Sequence, residues 1–360
     1  MEAPINAVCP YYTMYPLGFP LRVLQRHAKP RQWVLDPFCG RGTTNLAARI
    51  AGLPSVGFDC NPVAVALAKA KLPHVEVVQV VKAAVAIIRS RPHPKQVPTG
   101  AFWHLAYHPE TLKEICVLRE GLLENCRSSE RIVLRAIIMG ALHGPMAKGR
   151  PNYLSNQCPR TFAPKPHYAV GFWKERSLRP PKASVLDVII RRAVRYLLRQ
   201  PGAGVGQVMR ADSRHLASLV DEPVSWVITS PPYYGMRTYG PDQWLRLWFL
   251  GGPSKVSYAQ SIGELAHGSA VTFRDQLTRV WKSVATVCKD DAHLVTRFGG
   301  IHDRDVDSLD LISQSLKNAG WRIRTVKDAG SALNGKRQAA QFGVVKEKPQ
   351  TEYDLYATLN

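Results

Sequence analysis

The chain has 360 residues, enough to bury one large core or two modest ones, and its 48 Lys and Arg outnumber 27 Asp and Glu for a formal net charge of +21. Such a surface attracts polyanions, so nucleic acid is the first partner to expect, with a merely soluble basic enzyme as the plainer alternative. The seven cysteines, Cys9, Cys39, Cys60, Cys116, Cys126, Cys158 and Cys288, contain no C-x-x-C pair, which argues against zinc knuckles and a disulfide framework alike. No metal site is expected, and the compartment is expected to be reducing. With no apolar leader and no run of about 18 apolar residues, neither export nor a membrane span is expected.

In chain order, "RQWVLDPFCGRGTTNLAARIAGLPSVGFDCNPVAVALAKAKL" reads as a short strand over Trp33 to Leu35, a glycine turn, a helix and a second strand over Ser55 to Phe58. That is a β-α-β unit. A further strand-helix pattern, "HVEVVQVVKAAVAIIRS", runs into "RPHPKQVP", where prolines and charges mark a boundary. From Ala101 to Gln200 the pattern turns helical in "PETLKEICVLREGLL", "ERIVLRAIIMGAL" and "VLDVIIRRAVRYLLRQ". Strand-turn units resume with "GQVMRADSRHL", "VSWVITSPPYY", "AHLVTRF" and "WRIRTVKDAG". The expected architecture is one α/β sheet, its halves at 1–95 and 205–360, separated by a mainly helical, basic insertion at 96–204.

Two stretches carry chemistry. In "LDPFCGRGTT" a strand ends at Asp36, and Gly40 and Gly42 let the backbone turn tightly toward a ligand before a helix begins near Thr43. The third glycine of a dinucleotide fingerprint and the lysine of a P-loop are both missing, so a pyrophosphate cradle is not expected. Seventeen residues past Gly42 the next strand ends in "GFDCNP", which places Asp59 where a carboxylate meets ribose hydroxyls. The plainer alternatives are a simple strand-to-helix turn and, for Asp59, a helix N-cap. The second stretch is "TSPPYYGMRTY", a proline-stiffened aromatic corner after the apolar run "SWVI". On its own it could be an ordinary turn with both tyrosines in the core.

Together the two resemble the S-adenosylmethionine-dependent DNA amino-methyltransferases, enzymes of N4 of cytosine and N6 of adenine. "DPFCGRGTT" looks like their cofactor motif, and "SPPY" looks like their catalytic motif of Asp, Asn or Ser followed by Pro-Pro and an aromatic. "VMRADSRHL" resembles an intervening cofactor-contacting strand, and "YYTMYPLGFPLRVLQRHAKP" the segment leading into the cofactor motif. The resemblance implies a Rossmann-like class I methyltransferase sheet. It also implies S-adenosylmethionine held by Asp36, Phe38, Gly40, Gly42 and Thr43 around the methionine part, by Asp59 at the ribose and by Asp212 at the adenine, with Thr13 and Met14 at the methionine end or in N-terminal packing.

An exocyclic amine is a poor nucleophile because its lone pair is delocalised into the ring. The family aligns it with fixed acceptors, a role that maps onto Ser230 and the carbonyl of Pro231. Pro231 and Pro232 fix φ and remove competing donors, and Tyr233 would stack on a flipped base, with Tyr234 supporting the wall or touching DNA. No covalent nucleophile is required, and Cys158 in "NQCPR" is expected to be non-catalytic.

Between Gly144 and Gln200 twelve Lys and Arg face two Asp and Glu, interleaved with Tyr153, Phe162, Tyr168, Phe172 and Trp173. Basic residues among aromatics suit phosphate and base contacts, so this region is expected to recognise double-stranded DNA, through Arg150, Arg160 and Lys165 among others; the plainer alternative is a solvated basic loop. "GKRQAAQFG" (335–343) is a second basic loop. The resemblance implies a methyltransferase of DNA in a prokaryotic or phage-infected cytoplasm, making N4-methylcytosine before N6-methyladenine because serine at the head of the Pro-Pro motif is commoner in that group. An RNA guanosine amino-methyltransferase and a non-catalytic nucleic-acid-binding protein are the alternatives. Oligomeric state is left open.

Overall fold

The computed structural model describes residues 3–11, 15–145, 151–157, 165–235, 239–257, 263–300, 306–331 and 351–359. Thr13, Met14, Arg150, Cys158, Arg160, Phe162 and the loop 335–343 lie outside them.

Seven strands form one sheet: β1 (Trp33–Asp36), β2 (Ser55–Asp59), β3 (Gly206–Arg210), β4 (Val224–Thr229), β5 (Cys288–Gly299), β6 (Trp321–Ser331) and β7 (Thr351–Leu359). Their order is β3-β2-β1-β4-β5-β7-β6. The first five in that order run parallel, while β7 lies antiparallel between β5 and β6. This is the Rossmann-like class I methyltransferase sheet, with its strand order reversing direction at β1 and β4.

The centre of the sheet is apolar on both sides, as a parallel sheet covered by helices requires. Every residue of β4 is buried. Alternation sorts the side chains: Leu35 and Val227 enter one core, Val34, Trp226 and Ile228 the other. The helices α1 (Gly18–His27) and α2 (Thr43–Ile50) supply Phe19, Leu24, Ala47 and Ala48 to the second core. Opposite them, helices at Ala270–Ala285 and Ser308–Lys317 bring Phe273, Leu277, Trp281, Ile312 and Leu316 to the first.

Two compact units result, one made of residues 12–68, 203–237 and 260–360 and holding the whole sheet, the other made of 1–11, 69–202 and 238–259. A helix α3 (Pro62–Lys69) leaves β2, and the second unit then contains α4 (Val77–Ser90), α5 (Ala101–Ala106), α6 (Pro109–Glu124), α7 (Ser129–Ala141), α8 (Pro166–Glu175) and α9 (Val185–Leu197) before β3 begins. Its core includes an aromatic cluster of Phe102, Trp103, Trp173, Trp244 and Trp248, with Trp103 and Trp248 centroids 4.6 Å apart. The strand expected at "HVEVVQVV" is absent. Glu76 and Gln79 form a reciprocal capping box that starts α4 at Val77 in spite of its β-branched run. No helix among the described residues is long and apolar enough to cross a membrane.

Candidate active site at the carboxyl edge of the sheet

The glycine turn and the proline corner leave adjacent parallel strands. β1 ends at Asp36 and β4 at Thr229, with Leu35 opposite Val227. In an open α/β sheet the crevice where strand order reverses is where ligands bind, and both stretches open from that point.

A buried polar clasp joins them. Asp36 is 1% exposed, and its Oδ1 accepts the Thr229 hydroxyl at 2.6 Å and the backbone N–H of Phe38 at 3.1 Å. On its other side Thr44 Oγ1 lies 2.6 Å from Asp36 Oδ2 and 3.0 Å from the carbonyl of Ile228. A hydroxyl has one proton, so Thr44 donates to one of these at a time. The Tyr15 hydroxyl touches Thr44 and lies 3.1 Å from Asp36 Oδ2, so it completes either arrangement. Burial pushes the Asp36 pKa up, and the hydroxyls of Thr229 and Thr44 pull it back. The same burial, followed by the Asp36 charge, pushes Tyr15 well above its ordinary value, which keeps it a donor.

Within the turn Gly40 and Gly42 take φ of +49° and +78°, the left-handed region where side chains are strained. Gly42 also caps α2, and a Cβ there would lie 2.7 Å from the Cα of Ala68, where backbone cannot give way. Thr43, the first residue of α2, is buried. Phe38 meets Trp281 edge-on at 6.1 Å.

The next two strands end at the same edge. Asp59, at the end of β2, accepts the N–H of Gly40 at 2.9 Å and that of Asn61 at 2.8 Å. Each carboxylate oxygen thus has spare acceptor capacity, which is what ribose hydroxyls need. Burial first, then the charges of Asp36 and Glu264, raise the Asp59 pKa from the usual 3.8 to about 6 against those two N–H donors. Burial also pushes the neighbouring Cys60 thiol up to about 12, so it is no nucleophile. Beyond β3, Ser213 donates to the carbonyl of Pro37. Asp212 is held by Arg214, whose Nε lies 2.8 Å from Oδ1 and whose backbone N–H lies 3.0 Å from it. Burial alone would raise the Asp212 pKa, but these contacts outweigh it and hold the carboxyl below its usual value. A contact from Asp212 to an adenine amino group would share this carboxylate with the guanidinium.

At the proline corner Ser230 is half-buried and follows the clasped Thr229 directly, and Pro231 is buried beside the half-buried Pro232. Tyr233 sits with its ring 5.3 Å from Phe298, edge to face, and its hydroxyl donates to Glu352 at 2.8 Å. Tyr234 turns the other way, into the core against His267 and Phe273, while Gly235 donates to His267 Nδ1 at 3.0 Å. The structure therefore brings Asp36, Phe38, Gly40, Gly42, Thr43, Asp59, Ser230, Pro231, Pro232 and Tyr233 to one sheet edge, with Asp212 beyond β3. Sequence reasoning missed Tyr15, Thr44, Thr229, Arg214 and Glu352. Thr44 and Thr229 are next to motif residues and could have been suspected as helix-start and strand-end hydroxyls; Tyr15 had only its place in the segment leading into the cofactor motif, and Glu352 carried no local signal.

No group of His, Cys, Asp and Glu suited to a metal ion occurs among the described residues. No curated protein matches the chain. Its fold is similar to a SAM-dependent methyltransferase from Methanosarcina mazei, at 10% identity and a TM-score of 0.38, covering 97% of this chain and 99% of that one. It is also similar to the rRNA methyltransferase aviRa from Streptomyces viridochromogenes, at 12% identity and a TM-score of 0.37, covering 99% and 93%. The strand order, not these likenesses, carries the fold. The family model described as DNA methylase matches residues 6–70, the stretch holding Tyr15, the glycine turn and Asp59, and it supports methyl transfer as the activity and S-adenosylmethionine as the cofactor.

Proposed function

We propose that the chain transfers a methyl group from S-adenosylmethionine to the exocyclic amino group of a flipped base in double-stranded DNA, N4 of cytosine before N6 of adenine. The observation that carries the proposal is the clasp from Thr229 to Asp36, which fixes the proline corner beside the glycine turn. The residues fit the cofactor. Gly40 and Gly42 give a turn without side chains, and Asp59 offers a carboxylate with acceptor capacity at the same edge. Asp36, Phe38, Gly40, Gly42 and Thr43 would surround its methionine part, Asp59 its ribose and Asp212 its adenine.

S-adenosylmethionine, when bound, supplies an electrophilic methyl group. Ser230 Oγ and the carbonyl of Pro231 accept hydrogens of the target amino group and direct its lone pair. Because φ is locked at Pro231 and Pro232, the backbone that carries these acceptors needs little reorganisation as charge develops. Tyr233 offers a ring face to the flipped base.

The segment 96–204 is the region we assign to DNA recognition. On α8, Tyr168 is 48% exposed and stacks with Phe172, and Arg176 lies over the Phe172 ring at 4.2 Å. Such a basic, aromatic helix face suits phosphate and base contacts. Incubation with labelled S-adenosylmethionine and unmethylated genomic DNA, followed by digestion to nucleosides, tests the proposal. Label in N4-methylcytosine is expected. Label in N6-methyladenine moves the target base, label only in RNA moves the substrate, and no label in any nucleic acid removes the activity.

A further inference from the structure

We propose that Glu352 is a positioning residue for methyl transfer, holding the Tyr233 hydroxyl so that the ring presents a fixed plane to the target base. This rests on the stacking role proposed for Tyr233. Glu352 lies near the start of β7, directly opposite Gly299 of β5, and is only 2% exposed. Its carboxylate takes the Tyr233 hydroxyl at 2.8 Å. The ring has two further constraints. Phe298 meets it edge-on at an interplanar angle of 68°, and Gly299 leaves a slot beneath it. A Cβ at position 299 would lie 3.0 Å from Glu352 Cγ and 3.3 Å from Tyr233 Cε2, so a side chain there would push on both.

A hydroxyl tether at one end and a ring contact at the side together remove rotation about both side-chain torsions. The tether is expensive in the folded state. A carboxylate at an inward-facing strand position costs free energy that an apolar residue would not, and the desolvation must be offset by partners. Arg297 is one such neighbour: its guanidinium pairs with Asp354 at 2.7 Å and also senses the Glu352 charge. The Tyr233 hydroxyl itself is another: the hydrogen bond it gives the buried Glu352 side chain offsets part of that cost. β7 thus contributes to the catalytic corner from the far end of the sequence.

The test compares wild type with Glu352→Gln, Glu352→Ala, Tyr233→Phe and the double variant Tyr233→Phe/Glu352→Ala. Turnover on unmethylated genomic DNA is measured beside the Kd for S-adenosylhomocysteine. Tyr233→Phe, which keeps the ring and deletes only the tether, is expected to lower turnover by about ten- to a hundredfold, with the Kd changed less than twofold. Glu352→Ala should lower it as much. Glu352→Gln, whose amide oxygen still accepts the hydroxyl, should recover most of it. The double variant should be no worse than the poorer single, because both remove one interaction. Should Glu352→Ala fail to fold, the comparison of Tyr233→Phe with Glu352→Gln decides. Wild-type turnover in Tyr233→Phe, additive effects in the double variant, or an equal weakening of cofactor affinity overturns the inference. A wild-type protein that methylates no nucleic acid overturns instead the function on which it rests.

Discussion

Thr229→Val removes one hydroxyl from the clasp and changes little else, since valine has the same shape and Thr229 is fully buried. The bond it deletes is a 2.6 Å hydrogen bond to the carboxylate of Asp36, itself 1% exposed. A hydrogen bond to a charged group contributes about 1.5–3 kcal/mol, and a buried carboxylate left with one donor fewer puts the destabilisation at about 2 kcal/mol. At roughly 2–4 °C per kcal/mol for a unit of this size, the melting temperature should fall by about 4–8 °C. The pH dependence has a definite sign. Burial already holds the Asp36 pKa up, and Thr229 is the foremost hydrogen bond lowering it, so the variant raises it further. The folded protein then holds that proton more tightly than the unfolded chain. The deficit is therefore small in acid, where the carboxyl is protonated in both states, and grows as pH rises through the folded pKa. Thermal denaturation from pH 5 to 8, with turnover measured in parallel, checks both. A melting temperature within about 1 °C of wild type throughout this range, with turnover intact, would refute the claim that this clasp joins the two corners.

Gly42→Ala combines a left-handed backbone with a Cβ 2.7 Å from the Cα of Ala68 and should destabilise by about 3 kcal/mol or more, read by urea denaturation; a change below about 1 kcal/mol contradicts the packing described. With its pKa near 6, Asp59 should be charged above that pH and accept the ribose hydroxyls most strongly there, so affinity for S-adenosylhomocysteine should fall as pH drops through 6 and lose this dependence in Asp59→Asn. Because the shift is upward, the ligand-free protein has the opposite sign: the Asp59 contribution to stability is full below 3.8 and lost as pH rises through about 6, which denaturation of wild type against Asp59→Asn should record. Neutralising Lys165, Lys174 and Arg176 together should reduce the slope of log affinity for DNA against log salt by about 0.9 for each phosphate no longer neutralised; an unchanged slope moves recognition off α8.

Much of the sheet was legible because its central strands are apolar runs punctuated by glycine and proline. Asp36, Gly40, Gly42 and Asp59 were readable as strand ends and a turn, and Ser230 to Tyr233 as a stiff corner after a buried strand. What the sequence hid has physical reasons. β7 escaped notice because its inward positions include Glu352 and Asp354, which reverse the usual apolar-in alternation by pairing with Tyr233 and Arg297. Tyr15 lies in a proline-flanked segment with no periodicity, and its partners Asp36 and Thr44 are 21 and 29 residues away in sequence. The valines of "HVEVVQVV" suggested a strand, whereas a side-chain box at Glu76 and Gln79 favours helix from the outset. For β7 and Tyr15 the local pattern gave way to partners that tertiary structure brings from far along the chain.

The central claim is that one crevice at the carboxyl ends of β1, β2 and β4 serves both the cofactor and the target base. Crystallography of the protein with S-adenosylhomocysteine tests it most directly. Ligand density is expected between the Gly40 turn and the Pro231 corner, with ribose hydroxyls on the Asp59 carboxylate and the sulfur facing Ser230. A ligand bound elsewhere, or one whose sulfur is walled off from Ser230 and Tyr233, would contradict the account.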